Sequence, residues 1–97
     1  MGGVKLAFYA YRAMRAEAKE QQFADGFSED QQFFLATGQV WCSKYREEYA
    51  RMTAQVDSHS PPRFRVNGSI ANLPEFAAAF SCAPSTAMNP PNRCAVW

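Results

Sequence analysis

The residues best suited to chemistry lie together in the stretch Asp57-Ser58-His59-Ser60-Pro61-Pro62-Arg63-Phe64-Arg65-Val66-Asn67-Gly68. It holds the only histidine of the chain, and Arg63 and Arg65 follow closely. Imidazole is the side chain whose charge changes most readily near neutral pH, so it can give or take a proton or hold a hydrogen bond. Guanidinium offers a fixed fork of donors for a carbonyl or a carboxylate. Pro61 and Pro62 stiffen the link between them. On residue types alone, His59 fits a structural hydrogen-bonder as well as a catalytic one.

Other chemistries lack their residues. A hydrolytic zinc site needs about three protein ligands and one open position; a single histidine and no His-Glu-x-x-His pattern cannot supply them. Gly2-Gly3 is too short for a phosphate-cradling loop. His59 could in principle activate Cys42, but nothing in the sequence brings them together. The formal charge of +1 and the pI near 7.7 give no electrostatic footprint for nucleic acid or an acidic membrane surface. No apolar run approaches the ~20 residues of a membrane span, and no basic-then-apolar leader begins the chain.

The elements that must carry these residues are helices. The length of 97 residues suits one small domain, and 47% hydrophobic residues exclude disorder. Val4, Phe8 and Tyr11 recur at helical spacing, with Ala7, Met14 and Ala18 on the same side and Lys5, Arg12, Glu17, Lys19 and Glu20 facing out. Asp25-Gly26 ends that pattern. Ser28 and Gln31 form a capping box ahead of Phe33, Phe34, Leu35, Ala36, Val40 and Trp41, apolar on more than one face and so expected to be central and buried. Gly38 within it suggests close approach of a backbone or a ligand. Tyr45, Tyr49, Met52 and Val56 make an amphipathic stripe, expected to face the core.

The two prolines and the polar–apolar alternation predict a short extended segment near residues 63–67, closed by an Asn67-Gly68 turn. That would point Phe64 and Val66 one way and both arginines the other. Asn72 and Glu75 read as the capping box of a last helix, followed by a Pro-rich tail whose Val96-Trp97 end is expected to tuck against a surface. Cys42, Cys82 and Cys94 cannot all pair with one another. They are either buried thiols or partners of cysteines outside this chain; the helix-free surroundings of Cys82 and Cys94 favour the second.

Several segments together resemble the C-terminal end of the neprilysin family of zinc metalloendopeptidases, the family of the endothelin-converting enzymes. They are Gly2-Gly3-Val4-Lys5-Leu6-Ala7-Phe8, Gln32-Phe33-Phe34-Leu35, Gln39-Val40-Trp41-Cys42, the whole Asp57–Gly68 stretch, Met88-Asn89-Pro90-Pro91 and Cys94-Ala95-Val96-Trp97. The resemblance implies a mainly α fold, the C-terminal helical part of a thermolysin-like catalytic domain, with residues 1–97 a single partial domain. It implies one Zn2+ per full-length enzyme, with no metal ligand in this chain: the two histidines of a His-Glu-x-x-His motif lie upstream, and the third ligand, a glutamate of a Glu-x-x-x-Asp motif, falls just before Gly2-Gly3. His59 is then the donor to the oxyanion, oriented by Asp57. Arg65 holds a substrate carbonyl, and Val40 and Trp41 line the pocket for the apolar side chain that follows the cleavage point.

By the same resemblance, Cys42, Cys82 and Cys94 form disulfides with upstream partners. The chain would join the N-terminal remainder of the same enzyme, act on peptides on the amino side of hydrophobic residues, and belong to an extracellular, cell-surface or periplasmic protein. By itself it would be inactive and would touch neither nucleic acid nor membrane. A non-catalytic helical binding module derived from such an enzyme is the alternative.

Overall fold

The structure, a computed structural model, describes residues 2–18 and 26–95. Its elements are α1 (Gly2–Glu17), α2 (Glu29–Val40), α3 (Glu47–Val56), α4 (Pro62–Ile70) and α5 (Pro74–Ala79). No strand forms among the described residues; the one β-type pairing is an isolated bridge between Thr86 and Asn89. The mainly α architecture agrees with the sequence. The break at Asp25 and the Val96-Trp97 end lie outside the described residues.

α2 is the hub, packing against α1, α4 and α5. Its start is fixed locally. The Gln31 N–H donates to Ser28 Oγ at 3.2 Å, and the Ser28 N–H donates to Gln31 Oε1 at 3.0 Å. The predicted capping box is therefore complete. Gln31 does a second job, as its Nε2 donates to the Ala79 carbonyl at 2.8 Å and ties the start of α2 to the end of α5. The core is small and aromatic. Phe8, Phe34, Ile70 and Leu73 are buried, with Val4, Phe33, Val66, Phe76 and Phe80 packed around them. Phe8 stacks on Phe34 with ring centres 5.0 Å apart, and Phe76 meets Phe34 edge-on at 5.3 Å. Such offset and edge-to-face pairs add to plain burial of area.

Residues 63–67 are not extended. They form the middle of α4, in which Pro61 is the N-cap and Pro62 the first helical residue. A proline there gives up an N–H that has no helical partner anyway, and its fixed φ suits the helix. Phe64 and Arg65 N–H groups both donate to the Pro61 carbonyl. Four alternating residues are too few to separate a period of 2 from one of 3.6, and the helix wins because Val66 and Ile70, four apart, reach the core. The Asn67-Gly68 turn is likewise absorbed into α4. The faces change accordingly: Phe64 and Arg63 are exposed, while Arg65 and Val66 are half-buried.

Four other local expectations change. Of the α2 residues expected to be buried only Phe34 is, with Phe33 half-buried and Leu35, Ala36, Val40 and Trp41 exposed. α3 has no buried residue, and Tyr45, Tyr49, Met52 and Val56 are exposed. Its start is supported by charge rather than burial, through Glu47 and Glu48 in the first turn and an Arg51–Glu47 pair. Gly38 is not a close approach, since a Cβ there would meet nothing within 4 Å. Asn72 does not cap α5; the N-cap is Leu73, without a side-chain bond. Asn72 instead donates to the Gly68 carbonyl (2.7 Å) and accepts from the Cys94 N–H (2.6 Å), pinning the tail to the end of α4. Asn89 plays a similar part, donating through Nδ2 to the Cys82 carbonyl at 2.8 Å.

The radius of gyration is 15.4 Å, against about 12.5 Å for a compact domain of this length. The core is small, and α3 buries nothing and packs on no other helix as closely as α2 packs on α1, α4 and α5.

Candidate active site

The stretch between α3 and α4 holds Asp57 and His59 together by backbone geometry. Asp57 is the C-cap of α3, and its own N–H still donates to the Thr53 carbonyl. Its Oδ1 accepts from the His59 N–H at 2.8 Å and lies 2.9 Å from His59 Nδ1. One carboxylate oxygen thus anchors both the backbone and the ring of the same histidine. That backbone bond, with the ring contact second, holds the Asp57 carboxyl below the usual carboxylate range. The pair is open, with side-chain exposures of 48% for Asp57 and 65% for His59. When the ring is protonated, Nδ1–H donates to Asp57 and Nε2–H points elsewhere as a second donor.

Arg65 reaches the same place from α4. Its guanidinium carbon sits 4.1 Å from the centre of the Trp41 ring, a cation–π stack. Trp41 is the C-cap of α2, so packing of α2 against α4 brings these two residues into register. Two clefts flank the stack. The smaller, about 120 Å³, is walled by Tyr45, Tyr49 and Thr53 on one side and by His59, Pro62 and Arg65 on the other. The larger, about 450 Å³, runs past His59 and Ser60 to Phe64 and Val4. Trp41, His59 and Arg65 border both.

Of the residues singled out by sequence, Asp57, His59, Arg65 and Trp41 converge. Val40 is 77% exposed and lines neither cleft. Arg63 stays at the surface. Cys42, Cys82 and Cys94 are free thiols, Cys42 and Cys94 exposed and Cys82 half-buried. Sequence reasoning missed Tyr45, Tyr49 and Thr53 as cleft residues. The signal was present in their spacing, since Tyr45, Tyr49, Thr53 and Asp57 recur every fourth residue and so share a face. Among the described residues no group of three or more His, Cys, Asp or Glu could hold a metal ion. The residues here do not fit a zinc site.

The chain is similar along its length to known peptidases. The family described as peptidase family M13 matches residues 1–96. Human membrane metallo-endopeptidase-like 1 is 44% identical over 99% of this chain, human endothelin-converting enzyme 1 is 42% identical, and mouse neprilysin is 41% identical over the same share. The chain spans only 13% of each of these relatives. The cryo-EM structure of a Mycobacterium tuberculosis zinc metalloprotease in its open state superposes with a TM-score of 0.85 at 33% identity, covering 99% of this chain and 15% of that one. A family match over nearly every residue, joined to a solved protease with the same helical path, establishes that this chain belongs to peptidase family M13.

Proposed function

We propose that this chain is the C-terminal part of a zinc-dependent metalloendopeptidase, and that it steadies the oxyanion and holds the peptide while the metal ligands lie outside it. The observation that carries this reading is the convergence of the Asp57–His59 pair and the Trp41–Arg65 stack on one pair of clefts, in a chain of peptidase family M13. Attack on an amide places negative charge on the carbonyl oxygen. The Nε2–H of His59 donates to that oxygen, with Asp57 holding the ring and balancing its positive charge. The Arg65 edge donates to a neighbouring backbone carbonyl and keeps the peptide in register. Val40, exposed and outside both clefts here, borders the pocket for the apolar side chain once the rest of the enzyme covers it, and cleavage falls on the amino side of hydrophobic residues.

The rest of the enzyme is the partner that completes the site. The exposed side chains of α3 and the exposed Leu35 and Val40 of α2 present apolar surface for it to cover, which also dries the open Asp57–His59 pair. Cys42, Cys82 and Cys94, free within this chain, are left to pair with cysteines in that remainder, which fits an enzyme of an oxidising, extracellular or periplasmic setting. The test is His59→Ala in the full-length enzyme. The expected result is a fall in kcat of about 10²- to 10³-fold, the usual loss of one oxyanion donor, with KM little changed. Full activity in a correctly folded His59→Ala enzyme would sink the reading.

A further inference from the structure

The Trp41–Arg65 stack points to a role for Trp41 other than lining a pocket. A guanidinium held by its face keeps its edge free, and all five N–H bonds lie in that edge. A carboxylate partner would do the opposite and occupy the donors. No hydrogen bond or ion pair engages the Arg65 guanidinium among the described residues; its close contact is the Trp41 ring at 4.1 Å. The platform is tied to the fold through its backbone. Trp41 closes α2, its N–H donates to the Gly38 carbonyl at 3.2 Å, and α2 packs directly on α4, which carries Arg65. Both residues border both clefts beside His59.

We propose that Trp41 is a positioning residue, whose indole face aims the donor edge of Arg65 into the cleft beside His59 and which acts on the substrate through Arg65. This rests on the reading of Arg65 as the group that holds a peptide carbonyl. It separates two roles that predict different kinetics. A pocket wall discriminates among the side chains that enter it. A platform for a backbone-binding arginine affects every peptide alike, because every peptide presents the same carbonyl.

The experiment uses the full-length enzyme and a panel of quenched fluorescent peptides that differ only in the residue after the scissile bond. Trp41→Leu is expected to raise KM about 3- to 30-fold, the span of a partly desolvated cation–π contact, by the same factor across the panel and with kcat less affected. Trp41→Phe, which keeps a ring, recovers most of the loss. Trp41→Leu combined with Arg65→Met is no worse than Arg65→Met alone. A reordering of the panel by Trp41→Leu overturns the proposal in favour of a pocket wall, and so do losses that multiply in the double variant. If Trp41→Leu does not fold, Trp41→Phe carries the same test through a smaller but uniform rise in KM against a reordering. An Arg65→Met enzyme with unchanged KM overturns the reading of Arg65 itself, and with it the role of Trp41.

Discussion

The two sides of this molecule solve different problems. On the α1–α2–α5 side, Phe8, Phe34 and Leu73 are buried, Gln31 links two helices, and Tyr9 donates to Glu75 at 2.6 Å. That side holds the core, although Leu6, Met14 and Leu35 still stand exposed on it. On the α3–α4 side, α3 buries nothing and its large apolar residues stand in solvent, yet this is where histidine, aspartate, arginine and tryptophan meet. The contrast teaches that the chemistry sits on the part of the chain whose packing is unfinished. Stability should therefore respond to one side and activity to the other.

The largest effect expected is on the closed side. Phe34→Ala should cost about 3–5 kcal/mol, as for other large aromatic truncations in a core. In a chain with so small a core that abolishes cooperative thermal unfolding, measured by circular dichroism. On the open side His59→Ala should leave the melting temperature of the 97-residue chain unchanged while lowering kcat of the full enzyme about 10²-fold or more. A comparable loss of stability in both variants would erase the division. The purified 97-residue chain is also expected to show no peptidase activity and no stoichiometric zinc; either one would place a complete site within it.

Smaller effects sharpen the same line. Ser28→Ala removes half of the capping box on α2 and should cost about 1 kcal/mol of stability. Met52→Ala, on the exposed face of α3, should change stability by less than about 0.5 kcal/mol in the isolated chain. In the full enzyme it should cost more, if that face is covered there. The Asp57 carboxyl gives a pH test. Its pKa is held down in the folded chain by the His59 N–H, so its contribution is present above the ordinary carboxylate range. It is lost only as pH falls through the depressed folded value. The His59 amide resonance, followed by NMR during acid titration, should move with Asp57 at a pH below that of Asp57 in an unfolded peptide. A midpoint equal to the peptide value would mean that the bond does not hold in solution.

Legibility in the sequence followed the range of the interactions. The Ser28–Gln31 capping box was readable because it joins residues three apart; the Asp57–His59 pair was implied by the family resemblance, and its two-residue spacing lets the local backbone bring it together. The α4 segment misled because Pro61-Pro62 is a strong breaker within a helix and a good starter in front of one, and short alternation does not say which. The α3 stripe misled for another reason. Amphipathic spacing states that one face avoids water, not what covers it.

The sequence by itself determined the family, the helical class, the start of α2 and the histidine with its aspartate, because these rest on ordered residue patterns and on contacts within a turn of chain. Only the tertiary structure decided that residues 63–67 are helical, that Asn72 pins the tail rather than capping α5, and that Arg65 lies on Trp41. Each of those depends on groups far apart in sequence, brought together when α2 packs on α4 and the tail folds back. No local propensity encodes such contacts; burial of Val66 and Ile70 against the α2 hub selects them.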